Sequence, residues 1–410
     1  MNRLSLKFTS LMALVIILAT LSPTSAKVQR VEASGTIYIR ADGSVEGTQY
    51  IVTDNNATYV FTANINDSIV IERNNIVIDG KGYTVQGNGS ATGFLLSNVN
   101  NVTVKNANVT GSYYGVELRW ATHSVLSENN ITNNIDHGVH LYYSSNNNIS
   151  GNTLANNSNH GIRLYYSSNN SISGNTITDN YHDGVHLSGS SNSSIYRNDI
   201  RSNDDDGVHI SVSSDHNSVS GNKIVDNENG IDLRGLHNNV TGNVICGSTA
   251  CGIWLGVIGY SSDNNSISEN SVKNNTYGLS LFCADYNEIF ANNITESSIC
   301  GIYLNMSENN RIFHNNFIDN AQQANIAPGS VNTWDTNYPS GGNHWNDYNG
   351  TDLDQDGIGD SSYVIDANNT DHYPLVTEYI VPEFPSLAIL PLFLTATLLS
   401  IIFYRKRHTI

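Results

Sequence analysis

Glu117, His140, Arg163, His186, His209 and Asp232 recur at intervals of 23 residues, and each stands two residues after a glycine. Just before those glycines run Asp136-His137, Asn159-His160, His182-Asp183 and Asp205-Asp206. No other part of the chain is so dense in groups that move protons, ligate metals or hydrogen-bond to polyhydroxylated ligands. Asp205 and Asp206, with His186 and His209, supply the paired carboxylates and imidazoles of acid and base chemistry on a glycosidic bond, and Arg163 is the cation a lyase would use as base. Trp120, Tyr142, Tyr143, Tyr165 and Tyr166 lie beside this series in neighbouring repeats, and aromatics next to acids and histidines suit sugars. The expected ligand-binding set is therefore His140, Arg163, His186, His209, Tyr142 and Tyr165. The first expectation for the face itself is nevertheless an ordinary solvated ladder of polar side chains, and alternate tyrosines would then pack inward. His186 and His209, one repeat apart, would also share a transition metal with His182 or Asp205. No Met-rich or Cys-His motif selects copper, so neither copper nor zinc is expected.

A second cluster lies near the C-terminus. Asp352, Asp354 and Asp356 alternate, Gly357 follows, and Ile358 and Asp360 take the seventh and ninth places of a loop that resembles an EF-hand. Calcium prefers such hard oxygens, so it is the cofactor expected here, against a solvated acidic turn. The twelfth place is Tyr363 instead of Glu, which leaves Asp366 or Asp347 to substitute. Four cysteines, Cys246, Cys251, Cys283 and Cys300, form an even set compatible with two disulfides in an oxidising setting, with the pairing open. Asn130, Asn148, Asn192, Asn239 and Asn293 head N-x-[ST] sequons that an exported chain can glycosylate.

The residues that carry this chemistry are set by a repeat. Gly115, Gly138, Gly161, Gly184, Gly207 and Gly230 are 23 residues apart, and Gly93, Gly252, Gly278 and Gly301 extend the series with small slips. Each unit reads G-[VI]-x-[LI], a polar turn, then N-x-[IV]-x-x-N-x-[IV]-x-x-N, a pattern of short alternating strands. One unit buries only some four aliphatics, such as Val139, Leu141, Ile149 and Leu154, worth roughly 2 kcal/mol each. Ordering its backbone costs several times that. Stacked copies share a core, so the chain must be a solenoid. Asn, Ser, Thr, Gly and β-branched residues dominate, which excludes helical repeats. No proline lies between Pro23 and Pro328, as expected if each amide there donates to a ladder. Asn129, Asn152, Asn175, Asn198, Asn222, Asn243, Asn270, Asn292 and Asn315 recur once per unit and predict an asparagine ladder along the axis. Leu164 is an inward position, and Ser190 an outward one whose replacement should be nearly silent.

These repeats, over roughly Ile71 to Asn320, resemble the right-handed β-helix superfamily of pectate lyases, polygalacturonases and the accessory proteins called NosD. The resemblance implies right-handed coiling. Asp205-Asp206 is similar to the adjacent acids of polygalacturonases, but the companion Gly-His-Gly and Arg-x-Lys elements are absent. After Asn320 the period stops, and Trp334, Tyr338, Trp345, Tyr348, Tyr363 and Tyr373 crowd together as a plug for the open end. The run from Gly341 to Leu375 resembles the C-terminal segment of archaeal NosD-like surface proteins.

Outside the repeat, Arg3 and Lys7 precede an apolar run from Leu11 to Leu21, and Thr24-Ser25-Ala26 suits a signal peptidase. Leu387 to Tyr404 is about eighteen residues without charge, long enough to cross a bilayer, and Arg405-Lys406-Arg407 follows as a cytoplasmic stop. Pro382-Glu383-Phe384-Pro385 before that span resembles the PEF-type sorting signals of archaeal surface proteins, which implies cleavage and lipid transfer by a sorting protease or transpeptidase. A net charge of -18, with 37 Asp and Glu against 19 Lys and Arg, excludes a nucleic-acid reader.

The chain is thus expected to be all-β: signal peptide 1–26, capping strands 27–70, a right-handed parallel β-helix of about ten coils over 71–325, an aromatic, Asp-rich cap over 326–380, and a PEF-like motif with transmembrane helix and basic tail over 381–410. It should stand outside the cell, anchored in the cytoplasmic membrane. The leading expectation is a non-catalytic binder or presenter of carbohydrate in the cell envelope. The alternatives are a polysaccharide lyase, glycoside hydrolase or epimerase using the His and Asp series, and a structural, adhesive or NosD-like copper-related accessory protein.

Overall fold

The computed structural model describes residues 35–381. The expected signal peptide, PEF-like motif, apolar span and basic tail lie outside these residues. Each repeat folds into three short strands, as in Val139–Tyr142, Asn148–Ser150 and Thr153–Ala155, and the next coil begins with Ile162–Tyr165. Equivalent strands pair in parallel from coil to coil and build three sheets of 14, 13 and 12 strands. The register keeps one column per sequence position: Val139 pairs with Ile162, Ile162 with Val185, and Val185 with Val208.

Strict alternation follows from that register. Val139, Leu141, Ile149 and Leu154 are fully buried, and their counterparts above and below form one continuous aliphatic core. Leu164 lies in it as expected. The repeat glycines mark where one coil passes into the next. A Cβ on Gly138 would stand 2.7 Å from the carbonyl oxygen of Gly161, so close stacking of these corners admits no side chain.

The turns are held by side-chain amides. In the expected ladder each asparagine donates from Nδ2 to Oδ1 of the next, at 3.0 Å from Asn129 to Asn152, 3.1 Å from Asn152 to Asn175 and 3.0 Å from Asn175 to Asn198. Each also accepts a backbone N–H from the coil before it, as Asn175 does from Asn152 at 2.9 Å. The column ends in the cap, where Asn315 donates to Asn343 and the Asn343 amide donates to Asp371 at 2.7 Å. A serine column runs parallel to it. Ser190 is buried, accepts the Ser167 N–H at 2.9 Å and donates to the Ser188 carbonyl at 3.1 Å. The expected silence of a Ser190 replacement is therefore corrected: a hydroxyl small enough to tuck under the turn replaces a missing backbone partner.

The stack is longer than expected, with about twelve turns. Ile37–Ile39 already pairs in parallel with Ile69–Ile71, and Asn316–Ile318 still pairs with His344–Trp345. Coiling therefore begins within the segment assigned to capping strands and runs into the cap, because a coil need not keep the 23-residue length to keep its register. At the C-terminal end Phe317, Trp345 and Tyr363 stack at 4.5 and 4.4 Å, and Trp334 is fully buried. Tyr338, expected in this plug, is exposed.

All four cysteines are free thiols, so the disulfides expected from their even number are not formed. Cys251 pairs across to Tyr277 and Tyr277 to Cys300, which sets the two thiols two strand spacings apart. That is roughly 9.6 Å between Cα atoms, beyond the reach of a disulfide. Cys246 lies in another sheet and Cys283 in a turn.

Candidate functional site

The 14-stranded sheet carries two adjacent columns on its outer side. One holds Glu117, His140, Arg163, His186, His209 and Asp232 in unbroken register. The other holds the residues just before the repeat glycines, Tyr114, His137, His160, Asp183, Asp206 and Asn229. The expected solvated ladder is corrected here. Glu117, His137, His140, Asp183, Asp206 and Asp232 are all buried, because side chains in neighbouring rungs, at about 4.8 Å spacing, cover one another.

Asp183 is the centre of this surface. Its Oδ2 lies 2.8 Å from His186 Nδ1, 3.2 Å from His160 Nδ1 and 3.7 Å from His209 Nδ1, and its Oδ1 accepts the Asp206 amide at 3.1 Å. Asp206 in turn stands 3.2 Å from His209 Nδ1 and accepts from Asn229 Nδ2 at 2.8 Å. The imidazoles of His186 and His209 stack at 4.6 Å, and those of His137 and His160 at 5.1 Å. Asp232 is clasped by Arg234, and Glu117 by Arg119 at 2.8 Å.

Burial governs the protonation of these groups. It works to raise Asp183, but hydrogen bonds from His160 and His186 outweigh it and hold the carboxyl well below its usual range. Burial pushes His186 down to about 4 despite Asp183 beside it. His140 is likewise pushed down to about 4 by burial, then by Arg163 and Arg119. Asp206 is raised by burial and by the charge of Asp183, and Asp232 by burial to about 6, with Arg234 opposing. For His209 burial lowers the value, yet Asp206, Asp232 and Asp183 together raise it.

The expected acid pair separates. Asp206 turns into the cluster, whereas Asp205 is half-exposed with only His182 near it, at 3.8 Å. Asp205 lies in the bend between Asp199–Arg201 and Val208–Ile210, whereas Asp206 stands against the repeat glycine, so these neighbouring acids do not share a site. The partners of His186 and His209 are thus Asp183 and Asp206 instead of His182 and Asp205. Arg163 directs one guanidinium nitrogen to His137 Nε2 at 3.3 Å and stacks over Tyr165 at 5.5 Å. His160 and Asp183, central to the cluster, were absent from the expected site residues. Their recurrence beside the repeat glycines was the signal for them.

Next to the charged columns runs an aromatic shelf. Tyr142 stacks on Tyr165 at 5.6 Å, Tyr143 on Tyr166 at 5.2 Å, and Trp120 meets Tyr142 edge-on at 5.8 Å. None of these tyrosines packs inward, contrary to the alternate packing considered from sequence. Trp120, Tyr143 and Tyr166 are 45–50% exposed and hold a left-handed backbone, with φ of 52°, 49° and 47°. That conformation costs bulky residues roughly 1–2 kcal/mol each, and it swings the rings out to solvent.

In the C-terminal loop the carboxylates of Asp352, Asp354 and Asp356 come within 4.8 Å of one another. Asp352 accepts the Gly357 amide at 3.0 Å, and Gly357 makes the turn with φ of 90°. Asp360 instead accepts the Leu353 amide at 2.8 Å and the Thr351 hydroxyl, stapling the loop shut. The Ile358 amide donates to Asp356 at 2.8 Å. Asp347 and Asp366 are engaged elsewhere, by Tyr363 and by Asn369. Of the sequon asparagines, Asn130, Asn192 and Asn239 are exposed, whereas Asn148 and Asn293 are half-buried in strands.

Comparison with known proteins places this geometry among β-helices. The family described as right handed beta helix region matches residues 35–181 and 120–262, and the one described as periplasmic copper-binding protein (NosD) matches residues 200–350. Among solved structures, a periplasmic alginate epimerase, AlgG, aligns with a TM-score of 0.49 at 15% identity over 73% of this chain and 82% of its own. The A-module of an Azotobacter vinelandii mannuronan C-5 epimerase gives 0.46 at 13% identity over 73% and 91%. Dettilon tailspike protein gives 0.47 at 16% over 64% and 62%. No curated protein sequence matches.

Proposed function

The chain belongs to the right-handed β-helix family, and we propose that it binds or presents carbohydrate in the cell envelope, without catalysis of its own. The observation that carries this reading is the exposed shelf of Trp120, Tyr143 and Tyr166 beside the charged columns. Flat rings spaced by the rungs of a solenoid suit a polymer of pyranose rings laid along the axis, and the part-exposed Arg119 and Arg163 at its edge suit hydroxyls. An uncharged or cationic glycan fits the excess of acids over bases. Acid–base catalysis is supported less well, since Asp183, Asp206 and Asp232 are buried and engaged and Asp205 stands apart. Export, a membrane anchor with a sorting enzyme as partner, and a calcium ion on Asp352, Asp354 and Asp356 belong to the same proposal.

The test is a glycan-array and polysaccharide-depolymerisation screen of the parent and of a W120A/Y143A/Y166A variant. Binding without chain cleavage, weakened at least tenfold in the variant at an unchanged melting temperature, is the expected result. Equal binding by both proteins would move the ligand away from this shelf, and cleavage products would replace the reading by an enzymatic one.

A further inference from the structure

The charge balance of the buried cluster is incomplete. Asp183, Asp206 and Asp232 lie in three successive coils, all nearly inaccessible. Arg234 is committed to Asp232, and among the described residues no Lys or Arg pairs with Asp183 or Asp206. The groups that face these two carboxylates are His160, His186, His209 and Asn229. Buried anions that lack a fixed counter-charge are normally neutralised by protons or by a metal ion.

The arrangement of the imidazoles points to the second. Asp183 Oδ2 is met at 2.8 Å by His186 Nδ1 and at 3.2 Å by His160 Nδ1, with His209 Nδ1 3.7 Å away, so three ring nitrogens converge on one buried carboxylate oxygen. His209 Nε2 is also buried without a partner.

We propose that His160, Asp183 and His186, continued by Asp206 and His209 in the next coil, form a binding site for one divalent transition-metal ion of the zinc type. The ligand atoms of His160, Asp183 and His186 lie within 4.8 Å of one another, as do those of Asp183, Asp206 and His209, with Asp183 common to both sets. Bonds of about 2.0–2.2 Å hold ligand atoms roughly 3.3–3.6 Å apart, so the 2.8 Å and 3.2 Å pairs that Asp183 makes with His186 and His160 have only to open slightly, which rotamer adjustment supplies. Imidazole with carboxylate selects zinc, cobalt or nickel over calcium or magnesium, and the absence of sulfur in the cluster argues against monovalent copper. His160, Asp183 and His186 lie outside the residues matched by the copper-binding family, whereas Asp206 and His209 lie within them. The site stands independently of the glycan reading, because its ligands are other residues than the exposed rings of Trp120, Tyr143 and Tyr166.

The test titrates the chelator-stripped full-length chain with Zn2+ by calorimetry and with Co2+ by visible absorption, with no glycan present. The expected result is one Zn2+ per chain on this cluster and a Co2+ ligand-field spectrum typical of mixed nitrogen and oxygen ligands. H160Q/H186Q should weaken Zn2+ at least tenfold and abolish that spectrum, while D352N/D354N/D356N leaves both unchanged. If the double variant folds poorly, either single variant, shown to be folded by its far-UV spectrum, should show the same weakening of Zn2+ binding. Absence of Zn2+ binding, parent-like affinity in the histidine variants, or loss only in the Asp352 variant would each overturn the proposal. A failed glycan screen would leave the Zn2+ result unaffected.

Discussion

A single imidazole shows how burial sets the chemistry of this face. His140 is held near 4, mainly by burial, with Arg163 and Arg119 adding to it. In the unfolded chain it titrates near 6.5. The folded value is depressed, so below pH 6.5 the unfolded state takes up a proton that the folded state refuses. The stability is therefore complete above pH 6.5 and declines as the pH falls towards 4, by an amount on the order of 2–3 kcal/mol for this group. Melting curves across that window should show a smaller decline for H140Q than for the parent, and parallel curves would mean that His140 is open to solvent. Ser190 makes a different prediction. S190A leaves the Ser167 N–H without its acceptor, and a buried donor stripped of its partner costs about 1–3 kcal/mol, so the urea midpoint should fall by a corresponding amount.

At the scale of the element, the turn is stabilised by its neighbours more than by itself. Asn175 donates to Asn198 and to the Ile149 carbonyl and accepts from Asn152 twice. N175A should therefore cost more than a single hydrogen bond, roughly 2–4 kcal/mol, readable as a drop in melting temperature larger than that for S190A. The C-terminal loop is an element of another kind, whose three carboxylates repel one another at close range. A bound calcium ion stabilises the folded state by mass action. The melting temperature of the parent should then rise with calcium concentration, and D352N/D354N/D356N should melt below the parent only when calcium is present. Identical melting of the parent in calcium and in chelator would remove the ion from this loop.

For the whole molecule, stability is a sum over stacked coils, each sharing its core only with the coils above and below. L164D places a charge at a fully buried position of the column that runs through Leu141 and Leu187. An unpaired charge there costs several kcal/mol. Hydrogen exchange should show the coils around Leu164 losing protection first, with the Trp334 and Trp345 end retaining it. Uniform loss over the whole stack would mean that the solenoid unfolds as one unit.

Much of this architecture was legible in the primary structure. A glycine every 23 residues, alternating aliphatics and the Asn129 to Asn315 column specify strand length, inward positions and stacking, because a solenoid translates a sequence period directly into a spatial column. Residues on the outer side were harder to read, since the same period places His186 and His209 in one column without saying what covers them. Whether Asp205 or Asp206 enters the cluster, whether Tyr143 turns out or in, and whether Ser190 is tucked under a turn depend on the backbone torsion of single residues. The tertiary structure alone decided that the His and Asp columns are buried instead of solvated, because only stacking at the strand spacing makes each rung the cover of the next.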